Sequence, residues 1–226
     1  MGKITLYFVL IISYLGLSTA NITRERGSSY LVNENMLPKL FMDSPVCVIL
    51  VGAFSLGYFF KTYYHQYKVV YGFRPPEYFV IKTSHEFIQQ NEANLGLSLF
   101  RRSEQNNEES TIPMPPGALF IGNLAYGNWQ QQDSGNRLWK FHRPYRHLAK
   151  DLAWGDFVPD FDFYQKMQFY IKQRTPFYGQ NNEFGTNGTV SKNIIKKNTS
   201  WQQKFKFDLK KLWFRWISLN QERKFL

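Results

Sequence analysis

The sequence contains a single cysteine, Cys47, in a chain of 226 residues. One cysteine excludes a disulfide framework and any metal site that needs several thiolates. The sequence also lacks a Walker-type phosphate loop, a nucleophile elbow and a pair of histidines at helical ligand spacing. We therefore predict neither a metal ion nor a cofactor.

Acidic residues are scarce, and the excess of positive charge is concentrated near the C-terminus. The chain has 28 Lys and Arg against 17 Asp and Glu, which gives a net charge of +11. Residues 192–226 alone hold 10 basic and 2 acidic side chains, a net +8, so residues 1–191 carry only +3. A basic segment favours an acidic partner such as anionic lipid or nucleic acid. The hydrophobic fraction of 43% indicates a chain that folds.

Two apolar runs near the N-terminus predict a membrane region over residues 1–61. The first, at residues 4–20, fits either a signal peptide or a first transmembrane helix. The second, at residues 45–60, is uncharged and follows Ser44, a residue suited to an N-cap. It is predicted to be a transmembrane helix, with a buried helix of a soluble core as the alternative.

The order of these runs predicts on which side of the membrane the rest of the chain lies. If the first run spans outward or is cleaved after export, the second must return, which places residues 62–226 on the cytoplasmic or an equivalent side. If the first run does not insert, the domain lies outside. Acceptor triplets for N-glycosylation at Asn21, Asn187 and Asn198 would then matter.

The sequence between the membrane region and the basic tail predicts a mixed α+β fold in two parts. Residues 62–112 are a juxtamembrane strand, a helix capped by Ser84 and a polar linker at 101–110. Residues 113–191 are a small domain with two or three helices and a β-hairpin formed by residues 128–132 and 137–142. Its clearest helix begins near Asp160 or Asp162.

The hexamer LFIGNL at residues 119–124 resembles the first RNA-contacting strand of an RNA-recognition motif. The resemblance implies a second aromatic motif about thirty residues later, whose rings would stack bases. The nearest candidate, residues 154–161, lacks the leading cation and contains Pro159, which would deny a central strand one hydrogen bond. The hexamer is therefore interpreted as an ordinary buried strand, and nucleic acid is the least favoured partner.

One segment concentrates groups that could act in catalysis. Histidine beside carboxylate can transfer protons, and paired arginines can hold an anionic substrate. The candidate catalytic residues are His142, His147, Asp151 and Asp156, and the candidate anion-binding residues are Arg143 and Arg146. The alternative interpretation is a solvated surface with Arg and Asp side chains in water.

The C-terminal segment, residues 192–226, is predicted to form a basic amphipathic helix. Such a helix can lie in the membrane interface, with Trp213 and Trp216 inserted and cations at the headgroups. The predicted headgroup contacts are Lys210, Lys211 and Arg215. Docking on a partner protein and phosphate contact with RNA are the alternatives.

These patterns favour a non-enzymatic, membrane-anchored subunit of a larger membrane protein assembly, which organises partners at the bilayer surface. Its expected partners are other membrane proteins and anionic lipid. The first alternative is a membrane-anchored enzyme that acts on an anionic substrate through the His/Asp cluster. The second is a membrane-tethered RNA-binding protein.

Overall fold

The computed structural model describes residues 7, 9–11, 30–57, 61–104, 108–133, 135–192 and 195. In this part of the chain the fold is mixed α+β, as predicted, and is built on one five-stranded antiparallel sheet. Its strands are β1 (Val46–Leu56), β2 (Thr62–Tyr71), β3 (Glu77–Thr83), β4 (Ser98–Arg102) and β5 (Glu109–Ser110). They lie in the order β3-β2-β1-β4-β5, which makes β1 the central strand.

The remaining elements cover this sheet. The α-helices are α1 (Leu37–Leu40), α2 (His85–Gln90), α3 (His147–Asp151) and α4 (Phe161–Gln173), and 3-10 turns lie at Glu34–Met36, Glu92–Asn94 and Arg143–Tyr145. A separate hairpin pairs β6 (Gly127–Gln131) with β7 (Arg137–Phe141).

Several predicted elements are confirmed together with their local causes. Ser84 caps α2, because its hydroxyl accepts a hydrogen bond of 3.0 Å from the Phe87 N–H. Asp160 caps α4 in the same way through the Phe163 N–H, at 2.7 Å. The predicted hairpin is present within a residue of its expected bounds.

One face of the sheet, called here the α1/α2 face, is covered by short segments close to the strands in sequence. Val46, Val48 and Leu50 of β1 point to this face and pack with Leu37 of α1 and Phe87 of α2. All five side chains are almost completely buried. Alternate strand residues share a face, which is why Val46, Val48 and Leu50 all contribute to this core.

The opposite face, called the hairpin face, is covered by the chain from Met114 onward. Cys47, Ile49 and Val51 of β1 share one buried cluster with residues of the hairpin, α3 and α4. The turn at Gly117 packs closely against Trp154, since its φ is +92° and a Cβ there would lie 2.6 Å from the Trp154 ring. Trp154 also donates an indole hydrogen bond to the Pro116 carbonyl at 2.8 Å.

The transmembrane helix predicted at residues 45–60 is wrong, because Val46–Leu56 is the central strand β1. A strand buried on both faces gives a continuous apolar run rather than an alternating one, and such a run has the composition of a membrane helix. The β-branched residues Val46, Val48 and Ile49 favour the strand. The cytoplasmic placement expected for residues 62–226 required a second membrane span, and Val46–Leu56 is a strand of the sheet instead.

Two further local predictions also differ from the structure. Arg101 and Arg102, expected in a polar loop, form the buried end of β4. Arg102 is held there by Glu109 at 2.7 Å and by hydrogen bonds to the carbonyls of Phe41 and Pro38 around the end of α1. The hexamer at residues 119–124 forms turns and not a strand. The strand that the RNA-recognition resemblance requires is therefore not formed there.

No helix among the described residues has both the length and the apolar character needed to cross a bilayer. From the run at 4–20 the structure describes residues 7 and 9–11, which are helical and exposed. The basic tail with Lys210, Lys211, Trp213, Arg215 and Trp216 lies outside the described residues.

Candidate functional site

Three strand ends meet at one end of the sheet and position the candidate site. The antiparallel register places Val46, at the start of β1, opposite Tyr71, at the end of β2, and opposite Arg102, at the end of β4. The segments that enter and leave these strands are consequently neighbours in space. Ser44 hydrogen-bonds the Ser103 carbonyl at 2.9 Å and thereby joins two of them.

The three most exposed large hydrophobic residues of the described chain occur in segments at this end of the sheet. Met42 is 78% exposed, Leu124 71% and Phe73 64%. Met42 lies just before β1 and Phe73 just after β2, while Leu124 belongs to the turn that packs beside them. Single exposed apolar side chains are common on protein surfaces, but a group of them is a feature of binding sites.

A chain of contacts connects these residues into one area. Asp43, next to Met42, forms an ion pair of 2.8 Å with Arg74, next to Phe73. The Phe73 ring contacts Tyr145 with 6.0 Å between ring centroids, and Tyr145 contacts Tyr126 at 4.9 Å. The His142 ring hydrogen-bonds the Leu124 carbonyl at 3.1 Å.

A small open cleft lies within this area. Its volume is about 20 Å³, and it is lined by Pro45, Ser103, Glu104, Leu119, Asn123, Ala125 and Tyr126. We call the cleft together with Met42, Phe73, Leu124 and Tyr145 the sheet-end surface. Its base is firmly packed, since Tyr126 and Pro45 are buried and a Cβ at Gly72 would lie 3.1 Å from Pro45 Cγ.

The cleft has a negative side. The Tyr126 hydroxyl donates a hydrogen bond of 3.4 Å to the Glu104 carboxylate. Burial, and secondarily the nearby Glu104 charge, raises the pKa of Tyr126 to about 12, so the phenol stays protonated and remains a donor. In the described ranges no cationic side chain forms an ion pair with Glu104.

The predicted catalytic residues are close in sequence, but the structure does not join them. The His147 ring hydrogen-bonds the Pro144 carbonyl at 3.0 Å, and His142 is bound to Leu124 as described above. Asp151 is half-buried near Tyr78, whose pKa is raised by burial and by the Asp151 charge. Asp156 is exposed. Within the residues described, no hydrogen bond or ion pair links either histidine to either aspartate. Their catalytic role stays a prediction.

The anion-binding candidates are on the surface. Arg143 and Arg146 are exposed at the 3-10 turn that leads into α3. Over the described ranges, no group of three or more His, Cys, Asp or Glu side chains is arranged to hold a metal ion.

Two buried titratable groups of the sheet, His65 and Cys47, do not line the cleft. His65, on β2, is fully buried and its Nδ1 lies 2.9 Å from the Tyr67 hydroxyl. Burial lowers the pKa of His65 to about 4, which keeps the ring neutral. Burial also raises the pKa of the Cys47 thiol, which makes it unreactive.

The sequence analysis did not identify the sheet-end surface. Met42, Phe73 and Leu124 lie in three separate connecting segments, so no hydrophobic periodicity marks them. The one local signal was an apolar residue beside turn-forming Gly, Pro or Asn, as in the segment GFRPP at residues 72–76.

Comparison with known proteins identifies no relative: no family model matches this sequence, and no curated protein or solved structure is significantly similar to the chain.

Proposed function

We propose that this protein is a non-enzymatic, membrane-anchored subunit of a larger membrane protein assembly, and that it binds its partners through the sheet-end surface. The observation that carries this proposal is the high exposure of Met42, Phe73 and Leu124 in segments that meet at one end of the sheet. Interfaces owe most of their affinity to a few apolar or aromatic side chains near their centre, surrounded by polar groups. Glu104, Asn123 and His142 supply such polar groups here.

The size of the cleft supports binding to a protein rather than to a small substrate. Small-molecule sites are typically about 300–1,000 Å³ and enclose most of the ligand. The cleft is far smaller, at about 20 Å³, which is room for about one water molecule. A partner would therefore contact mainly the exposed residues near the cleft.

The membrane part of the proposal is supported by the start of the chain. Tyr7, Val9, Leu10 and Ile11 are helical, and each exposes more than half of its side chain. Apolar helical residues that do not pack on their own domain are suited to lipid. Residues 4–20 are therefore the proposed anchor, and the basic tail is a second contact with anionic lipid.

Purification of the full chain in mild detergent, through a C-terminal tag, tests the assembly. We expect a defined set of membrane proteins in fixed stoichiometry with the wild type. Replacing Met42, Phe73 and Leu124 by Ser together should reduce their recovery by about tenfold or more, because the centre of the interface is lost.

The matched control changes exposed hydrophobic residues outside the sheet-end surface. Val158 and Phe169 are 49% and 56% exposed, and replacing both by Ser should leave partner recovery unchanged. A wild-type chain that elutes alone as a monomer would contradict the subunit proposal. Equal loss of partners in both variants would contradict the assignment to the sheet-end surface.

A further inference from the structure

We propose that Arg143, Arg146 and Lys150 bind the phosphate groups of anionic lipid and hold the folded domain against the bilayer surface. We call these three residues, together with His147, the basic stripe. This inference rests on the proposed function, because it names the part of the domain that faces the membrane. The lipid contacts proposed above, residues 4–20 and the basic tail, belong to the two ends of the chain and do not orient the domain between them.

The basic stripe lies on one side of a single helical segment. The 3-10 turn Arg143–Tyr145 leads through Arg146, whose backbone is also helical, into α3. The four residues of the stripe follow the spacing i, i+3, i+4 and i+7, which places them on one face. Helical residues at these spacings have Cβ atoms about 5–6 Å apart, so their cationic groups can contact neighbouring phosphates.

Packing of the opposite side of this segment fixes the direction in which the stripe points. Leu148 and Leu152 are completely buried in the core of the hairpin face, and half-buried Tyr145 and Ala149 pack against the same cluster. All residues of the basic stripe are exposed. The segment is held by its apolar side and cannot turn its cations inward, so the stripe remains on the surface.

Within the residues that the structure describes, the cations of the stripe have no acidic partner. No ion pair there involves Arg143, Arg146 or Lys150. The adjacent Asp151 is half-buried, and its charge adds to the effect of burial in raising the pKa of Tyr78. A group of cations without neutralising partners attracts an anionic surface. Close to a membrane with acidic lipid, each such cation strengthens binding by about fivefold.

The surroundings of the stripe favour a lipid surface over nucleic acid. Proteins that bind single-stranded nucleic acid present aromatic rings on which bases stack. The ring in this segment, Tyr145, is half-buried and in edge contact with Phe73 and Tyr126, at 6.0 Å and 4.9 Å between ring centroids. The contact with Phe73 also joins the stripe to the sheet-end surface. Lipid bound at the stripe would therefore bring the sheet-end surface close to partners in the membrane.

Fluorescence quenching tests whether the stripe contacts lipid headgroups. The full chain is combined with nanodiscs of phosphatidylcholine, alone or mixed with phosphatidylserine, in which some headgroups carry a spin label that quenches a nearby fluorophore. The fluorophore is attached at Pro144→Cys, an exposed position beside the stripe, or at Ser55→Cys, an exposed position at the other end of β1. Native Cys47 is buried and stays unlabelled. We expect strong quenching at position 144 in the mixed discs, and little at position 55 or in phosphatidylcholine alone.

The test variant replaces the three cations Arg143, Arg146 and Lys150 by Gln. The matched control removes the same charge from three exposed lysines of other segments: Lys61→Gln, Lys166→Gln and Lys172→Gln. The test variant should weaken contact of position 144 with the mixed discs by about hundredfold, since three cations are lost from one surface. The control should be quenched as the wild type is. Thermal unfolding should be the same for all these chains, which separates lost binding from lost fold.

Four results would overturn the proposal: equal quenching in the two kinds of disc, equal quenching at positions 144 and 55, unchanged quenching in the test variant, or equal loss in the test variant and the control. The fluorophore reports contact with headgroups whether or not residues 4–20 insert in the bilayer. A chain that purifies without partners but shows the expected quenching would contradict the subunit proposal and keep the lipid site. A chain that purifies with partners but shows no quenching would remove the lipid site alone.

Discussion

The two faces of the central sheet are both buried, but they are covered in different ways. On the α1/α2 face, short helices within about 15 residues of a strand complete the core. On the hairpin face, the cover is a continuous segment that runs from Met114 to Val190. One face is thus covered by segments that are close to the strands in sequence, and the other by one long segment of the chain. A residue pattern read along one strand reveals the burial of both faces but not which segments cover them.

The strongest test of this comparison uses neighbouring core residues of β1. Leu50 points to the α1/α2 face and Ile49 to the hairpin face, and both are fully buried. Each change to Ala should lower the free energy of unfolding by about 2–5 kcal/mol, through lost burial and the cavity that remains. Denaturant unfolding measures both losses. A much smaller loss for one residue would show that its face is loosely covered.

A second test concerns the α1/α2 face alone and uses the pH dependence of the free energy of unfolding. His65 contacts the Phe87 ring there, and its pKa is lowered from 6.5 to about 4 by burial. Between these values the unfolded chain binds a proton that the folded chain does not, so stability decreases as pH falls. The loss begins near pH 6.5, is complete near pH 4, and is on the order of 3 kcal/mol.

The control for this prediction is His65→Leu, which removes the titrating group from the same position. Unfolding free energies measured at several pH values across this window should decrease less steeply in the variant. Identical slopes in wild type and variant would show that His65 is not the group responsible.

Arg101 and Arg102 are adjacent at the end of β4, and each binds segments that cover a different face of the sheet. Arg102 binds carbonyls around α1, whereas Arg101 binds the Ile112 carbonyl at 2.8 Å and the Ser110 hydroxyl at 2.9 Å. Changing either to Met leaves buried acceptors without a donor and should cost about 1–3 kcal/mol in the free energy of unfolding. Native-state hydrogen exchange should then show faster exchange near α1 for Arg102→Met and near residues 110–114 for Arg101→Met. Loss of protection in the same segment for both variants would contradict this division.

The smallest effect on the free energy of unfolding is expected for residues outside both cores. His142 and His147 are exposed, and their rings donate hydrogen bonds to the carbonyls of Leu124 and Pro144. Changing both to Ala should alter the free energy of unfolding by about 0.5 kcal/mol or less for each. Partner recovery tests the function of the pair. A variant that keeps its partners but loses a measurable turnover would support the enzyme alternative instead.

Local sequence signals predicted the parts of the fold whose causes are local. Ser84 and Asp160 cap their helices as expected, and the turn between β6 and β7 forms the hairpin. The error at β1 has a non-local cause: a strand becomes uniformly apolar only when other segments cover both of its faces. Arg101 and Arg102 were assigned to a loop for a related reason, because their buried partners come from residues 38–43 and 109–112.

The candidate site could not be predicted for the same reason. Its members come from five separate segments, and the proximity of three of them depends on the register of β1 with β2 and β4. The predicted histidine and aspartate cluster shows the reverse relation between sequence and contact. Its residues are near one another in sequence, yet His142 and His147 hydrogen-bond carbonyls and not the aspartates.

The central position of β1 has a consequence for folding during synthesis at the ribosome. Its partner β2 is made directly afterwards, but β4 ends at Arg102 and the cover of the hairpin face extends to Val190. Until β4 is made the strongly apolar β1 has one neighbouring strand, and until Val190 is made its hairpin face is not fully covered. Incomplete sheets of this kind associate readily with other chains. We expect the nascent protein to depend on chaperones until its last core residues have emerged.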